Sequence, residues 1–339
     1  MKEKTPTRKE MRILKKVAAA LTALTLFLST TAFASSIPDH CGTDISEIEI
    51  GTMALSKNVT RYNHLFKQSG DQYGIDPNIL AAICMQESSG INYDYYDDGT
   101  PRPAWGIMQI EYTCEQDFAA FGLDYAGVKW TLEDRLDPEK AVPYAAHRLS
   151  EALYKYDNDY AKMLQSYNYS DYTLKKILDA VGDDWMDERV NAVDYVENWP
   201  YENYGDPLYV EHVLRYYHND IEYIGAKVRL NNKLVKFNDQ YPIVDDGYTL
   251  IPVRAVSESL GAKVDWDGKA QLVTITKGGT SIKLYIDNNT AYINGRECEL
   301  DVPAQMINNR TMVPLRFVAE TFNLNVDWDG NTRTVIMTN

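Results

Sequence analysis

The sequence has a deficit of positive charge and few cysteines or histidines. Its 34 lysines and arginines face 49 aspartates and glutamates, a net charge of −15. Nucleic-acid binding depends on cationic contacts to phosphates, so this balance argues against nucleic acid as a partner. The five histidines are scattered, and CxxC, HExxH and HxH motifs are absent. The sequence therefore predicts no metal site and no cofactor.

Long apolar runs are also scarce, and the one at the N-terminus has the features of an export signal. Basic residues as far as Lys16 precede an apolar stretch at residues 17–28, and Ala32-Phe33-Ala34 follows as a small-x-small cleavage sequence. An uncleaved anchor is the alternative, but the stretch is short for a membrane span. We therefore predict a signal peptide at residues 1–34. The mature chain is expected to be secreted, extracellular or associated with the cell wall, with no membrane span after cleavage.

The length and the change of composition along the chain indicate two domains. A chain of 339 residues exceeds the usual size of one domain. Helical spacing dominates the first two thirds, whereas Val, Ile, Thr and turn pairs become frequent from about residue 228. The predicted fold class is multidomain: a mainly α domain over residues 41–222 and a C-terminal α+β domain of two repeats over residues 228–339.

The stretch GIDPNILAAICMQESSG, at residues 74–90, contains a carboxylate in an unusual position. Asp76-Pro77 predicts the N-cap and first residue of a short helix, and Gly90 the residue just past its end. Three apolar residues are spaced to face a core: Leu80, Ile83 and Cys84. Glu87 continues their face, where burial and the helix dipole would raise its pKa toward that of a general acid. The alternative is a Glu that reaches solvent at a frayed helix end.

Further motifs accompany Glu87 along the chain. The relevant segments are YGIDPNILAAI at 73–83, QESSG at 86–90, WGIMQI at 105–110, LQSYNYS at 164–170 and YGDPLYVEHVLRYY at 204–217. Together they resemble the lysozyme-like fold of the lytic transglycosylases and the related Gram-positive muramidases, over roughly residues 41–218. This resemblance implies peptidoglycan glycan strands as the partner, cleaved at the β-1,4 bond between N-acetylmuramic acid and N-acetylglucosamine.

The resemblance also implies the residues of a site. Glu87 would be catalytic, and the substrate-binding residues would be Ser88, Gly106, Met108, Gln109, Tyr167 and Asn168. GIMQI is expected to be extended, with the side chains of Met108 and Gln109 pointing into the groove. In the family a small pair usually follows the asparagine, and its replacement by Tyr169-Ser170 is a departure from that pattern.

The chemistry that follows the first proton transfer could take two forms. In a lytic transglycosylase, which is the expected reaction, Glu87 alone acts as acid and base and leaves a 1,6-anhydro end. In a hydrolytic muramidase a second carboxylate acts as base or nucleophile. The candidate is Asp94, ahead of Asp97 and Asp98 in the same polar loop. An alternative of another class is a non-catalytic cell-wall binding protein.

Spacing and turn residues predict the remaining elements of the first domain. We predict one or two helices in residues 46–69, helices at 139–153, 159–167 and 207–218, and a surface insertion at 183–203. The fold that the resemblance implies places Cys84 near Cys114. These two could bridge, or one could pair with Cys41, since the number of cysteines alone does not fix the pairing.

The C-terminal domain contains an internal repeat. IPVR at residues 251–254 recurs as VPLR at 313–316, and VDWDG at 264–268 recurs at 326–330, so both pairs are 62 residues apart. Each unit is expected to have an opening hairpin, a helix and a second hairpin that turns at Asp-Gly. The helices are predicted at 254–260 and 316–322. Neither half has enough strands to bury a core alone, so the two should form one unit.

This repeat resembles the domain named after the N-terminal region of copper amine oxidases, over residues 228–339. The resemblance implies no copper chemistry, and contact with the cell wall is the role that we expect. Trp266 and Trp328 are interpreted as core residues, with sugar platforms as the alternative. Every residue with a predicted chemical role precedes His218, so a chain that ends near Tyr223 is expected to fold and to cleave soluble glycan by itself.

Overall fold

The computed structural model describes residues 42–195, 205–330 and 332–339. The predicted signal peptide and Cys41 lie outside the described residues. Within these ranges no helix is both long and apolar enough to cross a membrane. A helical part is followed by a β-rich part, which confirms the predicted fold class.

Among its described residues, the helical part contains one small hairpin. Its helices are α1 (Lys57–Thr60), α2 (Asn63–Tyr73), α3 (Pro77–Ser88), α4 (Glu115–Ala126), α5 (Pro138–Lys155), α6 (Tyr160–Val181), α7 (Trp185–Glu188) and α8 (Tyr209–Leu214). Strands β1 (Ala104–Trp105) and β2 (Ile110–Glu111) pair antiparallel between α3 and α4. Short 3-10 segments lie at Tyr112–Cys114, Leu132–Leu136, Gly182–Asp184 and Arg189–Asp194.

Helix α3 begins as predicted and ends one residue earlier. The carboxylate of Asp76 accepts the backbone N–H of Asn78 at 2.9 Å, and Pro77 is the first helical residue. The C-cap is Ser89, in the left-handed region at φ 53°, so Gly90, at φ 74°, lies one position further out.

Burial surrounds most of helix α3. Every residue from 77 to 84 is buried, including the predicted apolar face. A helix without a wet face along most of its length lies inside the core. Its last turn therefore brings Glu87 to the edge of that core.

The segment before α1 is irregular, which corrects the helices predicted from residue 46. The backbone N–H groups of Gly51 and Met53 donate to the carbonyls of Leu214 and Arg215, at 3.0 and 2.9 Å. These bonds to the end of α8 satisfy backbone groups that a local helix would otherwise pair. A tertiary contact thus decides the conformation here.

Three predictions for the second half of the helical part are also corrected. Helix α6 extends beyond residue 167 to Val181 and bends at Ser170 (φ 66°, ψ 156°). The segment predicted as a surface insertion from 183 is anchored in the core at Trp185, which is 1% exposed and donates through Nε1 to Thr43 Oγ1 at 3.1 Å. The rest of that segment, 196–203, lies outside the described residues. Helix α8 is shorter than the predicted 207–218.

The repeat part alternates hairpins with two short helices. Its elements are β3 (Lys227–Leu230), β4 (Lys233–Leu234), β5 (Ile243–Asp245), β6 (Tyr248–Pro252), α9 (Val253–Ser259), β7 (Lys263–Asp267), β8 (Leu272–Lys277), β9 (Thr280–Tyr285), β10 (Thr290–Ile293), β11 (Arg296–Glu299), β12 (Gln305–Ile307), β13 (Arg310–Pro314), α10 (Leu315–Thr321), β14 (Asn325–Asp329) and β15 (Thr334–Thr338). The predicted opening hairpins turn at Asn231-Asn232 and Asn294-Gly295. Both residues of each turn have positive φ, as a type I′ turn requires.

The two repeats interlock. Strand β13 of the second repeat pairs antiparallel with β6 of the first. Strand β15, the last of the chain, pairs parallel with β3, the first of this part, with Val335 opposite Val228. Apolar residues of both repeats share one hydrophobic core. Each half thus completes a sheet of the other.

Trp266 and Trp328 are exposed, which corrects their interpretation as core residues. Their exposed fractions are 40% and 39%. Each lies on an edge strand, β7 or β14. A Cβ on Gly268 or Gly330 would lie 3.3 or 3.5 Å from the neighbouring indole Nε1. Each indole therefore lies over the Asp-Gly turn that follows it and outside the hydrophobic core.

Tyr241 joins the repeat part to the helical part. Its backbone N–H donates to the carbonyl of Gln72 at 2.6 Å, and its hydroxyl accepts a hydrogen bond from Ser150 Oγ at 2.8 Å. Gly74, at φ 68°, lies against its ring, where a Cβ would be only 2.1 Å from Tyr241 Cδ1. The ring thus fills space that only a glycine leaves free.

Candidate active site

Glu87 is the centre of the candidate site. Its carboxylate lies at the C-terminal end of α3, half-buried, and Oε1 accepts a hydrogen bond from the hydroxyl of Tyr209 in α8. Burial raises the pKa of Glu87 to about 7, against the opposing effect of the Tyr209 hydrogen bond, and the charges of Asp206 and Glu111 raise it further. At neutral pH both the protonated and the ionised forms are therefore populated, as an acid–base catalyst needs.

Two tyrosines lie near Glu87. Burial and the nearby carboxylate raise the pKa of both Tyr167 and Tyr209 well above the ordinary value. Both phenols therefore stay protonated and act as donors. Tyr209 donates to Glu87, and Tyr167 donates to the carbonyl of Met108 at 2.7 Å.

The GIMQI segment is a tight turn between β1 and β2, which corrects the extended conformation predicted for it. The backbone N–H of Gln109 donates to the carbonyl of Gly106 at 3.2 Å, and its side-chain Nε2 donates to the same carbonyl at 2.7 Å. Both residues have positive φ, 80° for Gly106 and 47° for Gln109. A Cβ at Gly106 would lie 2.0 Å from the carbonyl oxygen of Arg135, so only glycine fits there.

Met108 and Ser88 lie behind the surface of the site. The side chain of Met108 is fully buried in the helical core. The prediction that it points into the groove is therefore wrong. Ser88 is 4% exposed, and its hydroxyl contacts the carbonyls of Ile107 and Cys84 at 2.8 and 3.1 Å. Ser88 therefore ties the end of α3 to the turn, and its contact with substrate stays a prediction.

Asn168 is bonded to the segment that leads into α8. Its Oδ1 accepts the backbone N–H of Asp206 at 2.5 Å. The next residue, Tyr169, is buried and donates to the carbonyl of Arg189 at 3.1 Å. The departure from the family's small pair thus places a tyrosine in the core, directly before the bend at Ser170. That arrangement turns Asn168 toward the segment that begins α8.

Three residues near Glu87 were not predicted as site residues. Tyr209 and Asp206 lie in the closing segment 204–217, and Glu111 directly follows GIMQI. The carboxylate of Asp206 accepts the N–H of Leu208 at 2.9 Å and contacts Nδ1 of His212 at 2.5 Å. Glu111 is exposed at the end of β2. The resemblance of the closing segment was the signal that could have identified the first two.

The predicted second carboxylate lies in the loop before the turn. The loop, at residues 92–103, is closed by the bridge between Tyr95 and Pro101. Asp94 accepts the N–H of Tyr95 at 2.7 Å through Oδ1, while its carbonyl accepts the N–H of Arg102. Asp98 accepts both the N–H and the hydroxyl of Thr100, which lowers its pKa. Asp98 thus organises the loop, and Asp94 stays a candidate.

The cysteines form no bridge in the part of the chain that the structure describes. Cys84, Cys114 and Cys298 are free, so the bridge between Cys84 and Cys114 is wrong. Cys84 lies on α3 with its side chain in the core, and burial raises the pKa of its thiol to about 12. Over the same residues, no group of three or more His, Cys, Asp or Glu side chains could hold a metal ion.

Two family models match successive parts of the chain. Residues 64–185 match the Transglycosylase SLT domain, and residues 229–337 match the Copper amine oxidase N-terminal domain. The bifunctional muramidase/DL-endopeptidase CwlT of Bacillus subtilis is 27% identical over 182 residues, which are 50% of this chain and 44% of that protein. The primary amine oxidase of Klebsiella aerogenes is 31% identical over 78 residues, 23% of this chain and 10% of that protein.

Two solved structures superpose on part of this chain with low TM-scores. An inactive mutant of the lytic transglycosylase Slt from Pseudomonas aeruginosa is 16% identical with a TM-score of 0.34, over 46% of this chain and 23% of that one. A protein similar to a lipoprotein of the NLP/P60 family from Staphylococcus aureus is 19% identical with a TM-score of 0.32, over 50% and 55%. The chain thus spans less than half the length of the curated relatives that it matches. By its two family matches, the chain carries a transglycosylase SLT domain followed by a copper amine oxidase N-terminal domain.

Proposed function

We propose that this protein cleaves the β-1,4 bond between N-acetylmuramic acid and N-acetylglucosamine in peptidoglycan. One observation carries the proposal: Glu87, within the SLT match, has a desolvated carboxylate whose pKa is raised to about 7. A carboxylic acid that keeps its proton near neutral pH can protonate a leaving-group oxygen. The match to a muramidase over half of the chain supports the same substrate.

The proposed reaction is that of a lytic transglycosylase. Protonated Glu87 gives its proton to the glycosidic oxygen as the bond from C1 of the muramic acid to that oxygen breaks. The ionised carboxylate, held by the Tyr209 hydroxyl, then removes the proton of the C6 hydroxyl of the same sugar. Oxygen O6 attacks C1, a 1,6-anhydro ring forms, and Glu87 is protonated again. A single carboxylate thus serves both steps.

A hydrolytic muramidase is the second candidate, because other carboxylates do lie near Glu87. The charges of Asp206 and Glu111 both act on it. One of these, or Asp94, could serve as the base or nucleophile that hydrolysis requires. If the lyase reaction holds, Asp94→Asn, Asp206→Asn and Glu111→Gln should each change the rate on soluble glycan only modestly. A loss as large as that of Glu87→Gln in any of them would favour hydrolysis.

Zymography on peptidoglycan gels tests whether the protein is an enzyme or only a binding protein. We expect the wild type to clear the gel and Glu87→Gln to lose about 10²-fold or more, the effect of removing a general acid. The matched control is Glu139→Gln, an exposed carboxylate in the first turn of α5. Activity of Glu87→Gln within about tenfold of the wild type would refute the role of Glu87.

We also propose that the protein acts outside the membrane. The sequence at residues 1–34 supports export, and a peptidoglycan substrate requires it. For the repeat part, residues 228–339, we propose contact with the cell wall. The exposed indoles of Trp266 and Trp328 are compatible with that role.

A further inference from the structure

A cavity of about 960 Å³ lies between the helical part and the repeat part. Helices α2, α4 and α5 form one wall, and residues 238–239 and 308–310 form the other. Neither part alone encloses it. Tyr73 lines the cavity and lies three positions before the N-cap of α3, whereas Glu87 lies at the opposite end of that helix. The 12 residues of α3 separate the two places by roughly 18 Å, at about 1.5 Å per residue.

The walls of the cavity are fixed in position. Tyr241 joins them through its hydrogen bonds to Gln72 and Ser150. Gln72 also donates through Nε2 to the carbonyl of Asp239, a lining residue on the other wall, at 3.1 Å. A pocket between walls that are bonded to each other needs little reorganisation to bind a ligand.

The charges of the cavity do not suit an anionic ligand. Arg148 is paired with Asp117 at 2.7 Å, and Arg310 is paired with Asp239. Asp124 adds a further negative charge to the lining. Both arginines are thus neutralised by their own carboxylates, and a phosphate polymer would meet net negative charge.

An aromatic ring and side-chain amides line the same space. Tyr125 is 38% exposed, and its ring is held by a parallel stack on Phe121, with centroids 5.3 Å apart and an angle of 17°. Residues that carry side-chain amides line both walls: Gln68 on one, Asn238 and Asn309 on the other. An oriented ring packs against the C–H face of a pyranose, while amides and carboxylates bond its hydroxyl and acetamido groups.

We propose that this cavity is a second saccharide-binding site, which takes neutral N-acetylhexosamine units. The identity of the sugar rests on the proposed function, because the units bound here would be the N-acetylglucosamine units of the glycan that Glu87 cleaves. Two sites on one chain raise the effective concentration of a polymer at each. The repeat part would thus contribute to wall binding by completing this cavity.

Hydrogen–deuterium exchange of the full chain carrying Glu87→Gln tests the site, with N-acetylchitotetraose as the probe. We expect protection at residues 117–125 and 238–240 in addition to residues 86–111. Tyr125→Ala and Asn238→Ala, which act from opposite walls, should each weaken the protection of residues 117–125 and 238–240 by about two- to tenfold and leave that of residues 86–111 unchanged. The control is Tyr248→Ala, with similar exposure (39%) but outside the cavity lining.

Several results would overturn the inference. One is protection confined to residues 86–111, and another is cavity protection that persists in both wall variants. Protection of the cavity by a glycerol phosphate polymer but not by N-acetylchitotetraose would refute a neutral sugar as the ligand and indicate an anionic polymer instead. Zymography separates this inference from the proposed function: if Glu87→Gln still clears the gel, the catalytic assignment fails, whatever the exchange at the cavity shows.

Discussion

The hydrogen bond from Tyr209 to Glu87 allows a sharp test through Tyr209→Phe. In the wild type, burial raises the pKa of Glu87 to about 7, and the Tyr209 hydroxyl lowers it by stabilising the ionised form. Removing the Tyr209 hydroxyl takes away the hydrogen bond that stabilises the ionised carboxylate of Glu87, which stays buried. The variant should therefore hold its proton to higher pH than the wild type.

The expected shift follows from the strength of such a bond. A hydrogen bond to a charged group contributes about 1.5–3 kcal/mol, and about 1.4 kcal/mol corresponds to one pH unit. The alkaline limb of kcat/KM, which reports the acid in the free enzyme, should have its midpoint near 7 in the wild type. In Tyr209→Phe it should move up by about one to two pH units.

The assay is a pH–rate profile on soluble glycan strands. Tyr167→Phe is the matched control, because it also removes a buried hydroxyl but breaks the bond to the carbonyl of Met108 and not the bond to Glu87. Its alkaline limb should stay in place. An unchanged limb in Tyr209→Phe, or one moved to lower pH, would refute the assigned cause of the shifted pKa.

Three further predictions concern stability. Glu87→Gln should stabilise the fold at high pH, because burial disfavours the ionised carboxylate that the wild type carries there. The gain in free energy of unfolding should be absent below about pH 4.5 and complete, at most about 3 kcal/mol, above about pH 7. Denaturant titrations at pH 4 and 8 measure this gain, and equal gains at both pH values would contradict the prediction. Gly106→Ala should lower Tm by several degrees and abolish activity. The control is Gly127→Ala, which has a similar φ but open space around its Cβ position and should change Tm less. Equal changes in Tm would contradict the close contact between position 106 and the carbonyl of Arg135. A chain ending near Tyr223 loses Tyr241, so its Tm should fall below that of the helical part within the full chain, as calorimetry can show; an unchanged helical transition would mean that the interface adds little.

The elements that local rules determine were predictable from the sequence. Asp76-Pro77 begins α3 as predicted, and the asparagine turns of the repeat open both of its hairpins. Helices α9 and α10 lie within one residue of their predicted bounds. In these cases caps and turn residues fix the backbone through neighbours in the chain.

The errors arise where distant contacts decide. Tyr209 reaches Glu87 from 122 residues further along the chain, and no spacing rule connects them. Position 106 must be a glycine because the carbonyl of Arg135 leaves no space for a side chain, a contact that is invisible in the sequence. Likewise, Trp185 is buried in the core although its acidic surroundings in the chain predicted a surface segment.

The interface between the two parts could not be foreseen either. Gly74 resembles an ordinary helix C-cap, which it also is. Only the structure shows that the absence of its side chain makes room for Tyr241. The cavity beside this contact joins residues more than 100 positions apart, and it follows from packing alone.

Mass spectrometry of the muropeptides released from purified walls tests the central claim most directly. Wild-type protein should release fragments that end in 1,6-anhydro-N-acetylmuramic acid, and Glu87→Gln should release none above a blank. Asp94→Asn should give the same anhydro ends as the wild type. Reducing ends from the wild type would contradict the single-carboxylate reaction, and fragments from Glu87→Gln would contradict the site itself.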